Sequence, residues 1–457
     1  MNLHSPRQGG VLSSLQARLS GWPISIATVT AVLTFAYLAN GDILPTSDAV
    51  GNVFAAAEVV ERGTVRLGTD TTPQLFASDG TPHYYLVPAR GGGSVNAFGI
   101  GTPALAVPVF AAARLSGPLD TQVRFWCGRL AAVLLVVLSA LGVLAGARRW
   151  LDWRAATVVA LVYGLGTCVW SLSSQALWQQ TGSLCCLALG AAAFVHRERR
   201  GLMVAAGLAF GLAVLCRPTA AFFLAGALLG DPRRWRALLA GAAGPLFALL
   251  AYNLWAHGAV LSAGQLETSV AIATTKTGEP GLWRWPFEGA AGLLVSPSRG
   301  LLVYSPALAL GVFGMATRDR ERLALALPTA AVFVVAASWF DWWGGWTFGY
   351  RPLVELCPIL AILAAPILAR PGERTWFRAL LAAAILWSVG VQLIGAFAYN
   401  TRQWNDLGGA NIDRVEHHHR LWSLTDSQLG FYATHLSQAR AFKEIDSQLW
   451  LRSYGPR

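Results

Sequence analysis

The residues of this chain best suited to chemistry are one acid and three arginines, each set beside an apolar run. Asp48 closes the stretch Asn40-Gly-Asp-Ile-Leu-Pro-Thr-Ser-Asp48, just past the first hydrophobic segment. Arg217 interrupts two apolar arms in Cys216-Arg-Pro-Thr219, and Arg299 follows Ser296-Pro-Ser298 at the start of another. Arg351 ends an aromatic, glycine-rich run, Trp339-Phe-Asp341-Trp-Trp-Gly-Gly-Trp346-Thr-Phe-Gly-Tyr350. A carboxylate at a membrane surface can take a proton from a hydroxyl. The planar fork of arginine suits phosphate oxygens, and an arginine near membrane depth is a functional candidate unless it snorkels. Two readings therefore stand for each residue. Asp48 is a general base, or (with Ser47) the N-cap of the helix that follows. Arg217 holds a phosphate or snorkels at a helical turn, and Arg299 and Arg351 bind an anionic headgroup or anchor their segments.

A second tier could line a sugar or acceptor pocket. Asp42, Asn52, His83, Tyr84 and Tyr85 fall in the segment after the first hydrophobic run. Gln175 and Trp178, with Gln179, occupy a short turn between two others. Trp346 and Glu355 belong to the aromatic run and the span after it. Tryptophans stack on sugar faces, but they also anchor helices at a membrane interface.

These residues need elements to hold them, and composition names the kind. The chain has 457 residues, 54 % hydrophobic and 13 % charged. A soluble protein carries roughly 25 % charged residues, so the expected fold is an all-α polytopic membrane protein. The net charge of +11 comes from arginine blocks between apolar runs, while lysine is nearly absent. Such blocks orient helices, and no basic domain stands apart to bind nucleic acid. The six cysteines and the run His417-His-His419 lack metal-ligand spacing, and no Walker or dinucleotide pattern occurs. No cofactor or metal is therefore expected.

Candidate spans are 22–40, 97–113, 123–147, 155–171, 181–195, 201–230, 237–256, 300–316, 322–338, 352–369 and 377–397. Arg7 and Arg18 precede the first, which reads as a retained span. Between the others lie Arg148, Arg149 and Arg154; Arg197, Arg199 and Arg200; Arg233, Arg234 and Arg236; Arg318, Arg320 and Arg322; and Arg370, Arg374 and Arg378. Cytoplasmic placement of all five blocks imposes two conditions. The segment 97–113, with Pro103 and Pro108, must lie at the interface rather than cross. The segment 201–230 must cross twice, dividing at Arg217-Pro218. The result is about 11 transmembrane helices, N-terminus cytoplasmic, with 41–122, 172–180, 257–299, 339–351 and 398–457 outside. The expected division is a transmembrane domain over 1–397, whose first loop 41–122 carries interfacial helices, and a small external segment over 398–457. Loop 257–299, with Glu267 and Lys276, reads as a lid or as plain linker.

After Asp48 the apolar residues Val50, Val53, Phe54, Ala57 and Val60 recur at helical spacing, as in an amphipathic helix on the membrane. An acid at the head of the first external loop, followed by such a helix in Ser47-Asp48-Ala-Val-Gly-Asn52 and Ala55-Ala-Ala-Glu58, resembles the GT-C superfamily of membrane glycosyltransferases. The likeness is to the bacterial protein-mannosyltransferase and aminoarabinose-transferase type. The segment Gly99-Ile-Gly-Thr-Pro103-Ala-Leu-Ala-Val-Pro108 resembles the family's interfacial stretch, and Arg217 its phosphate-contacting basic residue. The blocks Gly289–Gly300 and Trp342–Arg351 resemble a bacterial branch of the same superfamily. Ala49 stands where those enzymes often carry a second acid.

The resemblance implies an inverting glycosyltransferase of the bacterial inner membrane with its active site outside. Its donor is a polyprenyl-phosphate sugar, and its acceptor a hydroxyl of a glycan, lipid or protein. Asp48 is then the catalytic base, and Arg217, Arg299 and Arg351 hold the departing phosphate. Some members of the superfamily use a divalent metal, which nothing in this sequence calls for. The alternatives are a transporter or flippase of a lipid-linked or anionic substrate, or another lipid-linked glycan transferase.

Overall fold

The computed structural model describes residues 9–261, 264–369 and 374–454. Arg7 and Arg370, two of the orienting basic residues, lie outside them. The molecule is a helical bundle of α1 (Gly9–Leu38), α2 (Ser47–Arg62), α3 (Gly101–Arg114), α4 (Thr121–Ala147), α5 (Trp153–Leu165), α6 (Gln179–Val195), α7 (Arg200–Cys216), α8 (Ala221–Gly230), α9 (Trp235–His257), α10 (Gly264–Thr277), α11 (Pro286–Val295), α12 (Leu301–Tyr304), α13 (Ala309–Gly314), α14 (Arg320–Ser338), α15 (Cys357–Leu368), α16 (Thr375–Ala398), α17 (Gln428–Thr434) and α18 (Leu436–Ser453). Five helices among the described residues are long and apolar enough to cross a membrane, and six shorter apolar helices accompany them. Strands β1 (Leu86–Pro88) and β2 (Ser94–Asn96) form an antiparallel hairpin turned at Gly91, Gly92 and Gly93, all with positive φ that glycine adopts without strain.

Close backbone approach holds the bundle together where lipid supplies no hydrophobic drive between helices. α7 and α9 meet through reciprocal glycines. A Cβ on Gly207 would lie 1.9 Å from the Leu238 carbonyl oxygen, and one on Gly241 would lie 2.0 Å from that of Val204. α13 and α15 use the same device at Gly311 and Gly314.

Four of the five arginine blocks meet at one end of the bundle. Arg149 pairs with Glu198 at 2.7 Å, Arg197 with Glu321 at 2.5 Å and with Asp231 at 3.4 Å, and Asp231 with Arg234 at 3.1 Å. Four regions of the chain are thereby tied together. α4, 27 residues and roughly 40 Å long, joins this end to the other. Near its start Arg129 donates to the Tyr37 carbonyl at 2.5 Å and to Asn40 Oδ1 at 2.9 Å. That second end gathers α2, α3, the hairpin, α10 and the C-terminal helices.

Several expected boundaries change. The segment 97–113 forms α3, packed on α2, α4, α6 and α7, and 201–230 divides into α7 and α8 at Arg217-Pro218. The expected continuous span 300–316 is broken at Ser305-Pro306, because proline cannot continue the helical hydrogen bonding. The freed groups find side chains: Gln392 Nε2 donates to the Tyr304 carbonyl at 3.4 Å, and the Ala307 amide donates to Ser388 Oγ at 3.2 Å. The stretch 257–299 is largely ordered as α10 and α11. The C-terminal segment is seated in the bundle: Lys443 donates to the Ala396 carbonyl at 2.5 Å, and Ser447 to that of Ile43 at 2.9 Å. Burial pushes the Lys443 ammonium down to about 8, against the opposing pull of Asp42.

A methyl group at Gly207 must push the α9 backbone away. Gly207→Ala is expected to cost about 1–3 kcal/mol, read as a lower melting temperature in detergent. Gly244→Ala, where a Cβ meets nothing within 4 Å, should melt no lower than the parent chain. Equal melting of both variants would refute the tight α7–α9 contact.

Candidate functional site

Asp48 occupies the first turn of α2, but it does not cap the helix. Thr46 is the N-cap residue, with φ −147° and ψ 122°, and no side chain bonds the first amides. The capping expectation for Asp48 or Ser47 therefore gives way. The Asp48 carboxylate is engaged elsewhere: one oxygen accepts from Arg351 Nη1 and the other from the Tyr84 hydroxyl. The Arg351 guanidinium lies over the Trp178 ring, 4.9 Å from its centroid, which restricts its swing. Burial works to raise the Asp48 pKa. The charge of Arg351, the bonds from Tyr84 and Arg351, and the charge of Lys276 outweigh it, holding the carboxyl below its usual range.

This pair stands where two cavities meet. One, of about 300 Å³, has apolar walls such as Val214, Leu215, Leu249 and Val332, and also takes in Arg217. The other, of about 570 Å³, is polar and aromatic, with Tyr84, Trp178, Lys276, Trp346, Asp413 and Trp450 in its wall. Asp48, Asp341 and Arg351 line both. α10 supplies Gln265 to both cavities and carries Lys276, which bridges Asp341 at 2.7 Å and Asp413 at 3.1 Å. Those two acids hold the Lys276 pKa above its ordinary value, although burial alone would lower it. The lysine thus ties α10 to the aromatic loop and to the C-terminal segment.

The sequence candidates divide sharply. Asp48, Arg217 and Arg351 line the first cavity; Tyr84, Trp178 and Trp346 line the second. Glu355 lines neither, and instead pairs with Arg217 at 2.8 Å while accepting from Ser183 and Thr219. Arg299 is fully buried away from both cavities, donating to the carbonyls of Trp343, Ser298 and Gly345 and to Asn405 Oδ1. With its donors consumed it knits the aromatic loop to the C-terminal segment, and its expected phosphate role is corrected to a structural one. Asp42 faces Lys443 at 3.9 Å. Asn52 donates to the Leu177 carbonyl and accepts from Asn96, so it braces α2 against the hairpin's end. His83 packs on Tyr85, Tyr85 reaches Tyr454, and Gln175 bonds Asn40 and the Trp170 carbonyl. These five are neighbours of the site and do not line it.

Sequence reasoning assigned no role to Gln180, Asp341, Asn411, Asp413 or Trp450. Asp341 stood visible as the one acid in the aromatic run, but nothing local marked the others. Among the described residues no group of three or more His, Cys, Asp or Glu could hold a metal ion. His418 packs against Trp343, with ring centroids 4.2 Å apart. Arg351 and Tyr84 take up both Asp48 oxygens.

No family model matches the chain, and neither does any curated protein. Solved structures do. The crystal structure of ArnT from Cupriavidus metallidurans bound to undecaprenyl phosphate is 17 % identical with a TM-score of 0.52, over 95 % of this chain and 76 % of that one. The same protein in the apo state gives the same figures. The Archaeoglobus fulgidus oligosaccharyltransferase in complex with Zn and sulfate is 14 % identical with a TM-score of 0.50, over 84 % of this chain and 54 % of its own length. The fold is the one that these structures share.

The lowered Asp48 pKa gives stability that is complete at neutral pH and is lost as pH falls through the folded value, below about 3.9. Arg351→Gln leaves a half-buried carboxylate without its cation, and should cost about 2 kcal/mol at pH 7. As acid protonates Asp48 the deficit should shrink. Melting temperatures of both proteins across pH test this; a deficit as large at about pH 2 as at pH 7 would remove the pair as its cause.

Proposed function

We propose that this chain is an inverting glycosyltransferase that moves a monosaccharide from a polyprenyl-phosphate donor to an acceptor hydroxyl. One observation carries the reading: a carboxylate–arginine pair on the shared wall of an apolar-walled cavity and a polar one. The likeness in fold to ArnT, whose crystal structure holds undecaprenyl phosphate, supports the lipid-linked donor. In this reading the donor's phosphate and sugar enter the first cavity, and the acceptor enters the second.

The chemistry follows from the charges. An incoming phosphate competes with Asp48 for Arg351, with Arg217 as its second cation. Releasing Arg351 frees a carboxylate oxygen and raises its basicity. The acceptor hydroxyl then gives its proton to Asp48 as its oxygen bonds the anomeric carbon. The bond from that carbon to the phosphate oxygen breaks, and its electron pair leaves with the polyprenyl phosphate. Arg217 and Arg351 stabilise the growing negative charge. Attack opposite the leaving group inverts the anomeric centre, and no nucleotide takes part. α10, tied by Lys276, lines both cavities and shields the reacting groups from water.

Sidedness follows from the ion-paired arginine end. If that end is cytoplasmic, Asp48 faces outside across the bacterial inner membrane. All six cysteines are buried, so a single exposed cysteine reports cleanly. Thr81→Cys in whole cells should react with an impermeant thiol reagent; protection until lysis would reverse the orientation.

Asp48→Asn should reduce sugar transfer from a lipid-linked donor by about 10²- to 10⁴-fold and leave undecaprenyl phosphate binding no weaker than in the parent, since Arg351 is then free for the phosphate. Transfer at the parent rate would eliminate Asp48 as the base. Arg217→Ala should weaken undecaprenyl phosphate binding by about tenfold or more; an unchanged affinity would take Arg217 out of the phosphate site.

A further inference from the structure

The smaller cavity is not lined by apolar groups alone. Five carboxamides reach its wall: Asn96, Gln179, Gln180, Asn253 and Gln265. Four of them have protein partners. Asn96 donates to Asn52 Oδ1 at 2.7 Å, Gln179 to Gln265 Oε1 at 3.0 Å, and Asn253 to the Val260 carbonyl at 3.0 Å. Gln180 differs. It is 4 % exposed, and its Oε1 has no hydrogen-bond partner. A buried amide oxygen left unsatisfied is costly, and native proteins keep few of them. A half-turn about the last side-chain torsion would present the nitrogen instead, so the group can meet a hydroxyl in either sense.

Its place on α6 gives the open amide a direction. Two residues earlier, Trp178 carries the Arg351 guanidinium on its face. Three residues later, Ser183 donates to Glu355, the partner of Arg217. The first turn of α6 therefore lies between the two arginines proposed to hold the donor phosphate. A sugar on that phosphate comes within reach of Gln180.

The charges of the wall limit what kind of sugar fits. Among the described residues, Asp48 is paired with Arg351 and Asp341 with Lys276, while Glu355 behind the wall is paired with Arg217. Glu355 lines neither cavity, and Asp48, once released, is needed for the acceptor's proton, so the wall keeps no carboxylate for an ammonium group. Among the described residues, Arg217 and Arg351 are the only lysines or arginines lining this cavity, so once the phosphate engages both, none is left for a sugar acid. Carboxamides, which donate and accept without charge, suit the hydroxyls of a neutral ring.

We infer that Gln180 reads the hydroxyl groups of the donor sugar, and that this sugar is an uncharged pentose or hexose rather than an amino sugar or a sugar acid. The inference rests on the glycosyltransferase reading above. Gln180 acts as a specificity residue for the glycone, and the polyprenyl phosphate itself makes no demand on it.

The test is binding of the full chain in lipid nanodiscs to four probes. These are undecaprenyl phosphate alone, its glucose and mannose derivatives, and its 4-amino-4-deoxyarabinose derivative. The parent chain should bind a neutral sugar lipid about tenfold tighter than undecaprenyl phosphate, with no such gain for the amino sugar lipid. Gln180→Leu should erase that gain and leave the affinity for undecaprenyl phosphate within about twofold, which also reports its folding. Should that variant fail to insert, Gln180→Glu and the parent's order of preference decide. A preference for the amino sugar, an undiminished gain in the variant, or an equal loss for all four lipids would overturn the inference. Failure of the parent chain to bind even undecaprenyl phosphate would instead strike the glycosyltransferase reading.

Discussion

The Asp48–Arg351 ion pair is the constraint on which the rest of this structure turns. It joins residues 303 positions apart at the meeting of two cavities. A charge taken from water is costly unless its partner is in place, and removing one member leaves the other stranded. Each side of the pair is accordingly braced. α2 is fixed by Asn52 against Asn96 and the Leu177 carbonyl. Arg351 is fixed over Trp178, and its neighbour Tyr350 donates to Ser305 at 2.6 Å. The break at Ser305-Pro306 thus serves the site: it turns a serine hydroxyl toward the residue before Arg351.

The same logic runs outward from the pair. Arg217 is held by Glu355, Lys276 by Asp341 and Asp413, and Arg299 by three backbone carbonyls and Asn405. Each cation draws together segments far apart in the chain. The C-terminal residues Arg402, Asn411, Asp413 and Trp450 become part of the polar cavity's wall, so the last sixty residues belong to the site as much as the first loop does. In a bundle where apolar surface cannot drive helix association, such paired charges and glycine contacts set which helices meet.

The sorting of the candidate residues shows how local pattern and tertiary contact differ as sources. Asp48 and Arg217 were legible because a charge beside an apolar run is rare and costly. Arg299 had the same signature and proved structural, because it donates to three backbone carbonyls and Asn405 Oδ1, partners that no spacing rule foretells. Glu355 was noticed as an acid near the aromatic run, yet its meaning lay in Arg217, 138 positions away. Gln180 gave no signal at all: an amide in a helix's first turn is ordinary until its oxygen is found without a donor.

Composition by itself determined a many-helix membrane chain, and arginine placement supplied the expectation that its basic blocks lie on one side. The physical reason is that hydrocarbon length and the cost of charge in lipid act on short stretches of sequence. They also determined that 201–230 divides at Arg217. Only the tertiary structure decided that the 300–316 segment breaks, that α10 lines both cavities, and that Asp48 faces Arg351 rather than its own helix amides. Those outcomes depend on pairing between distant groups, whose energies are set by burial and geometry that exist only once the bundle has closed.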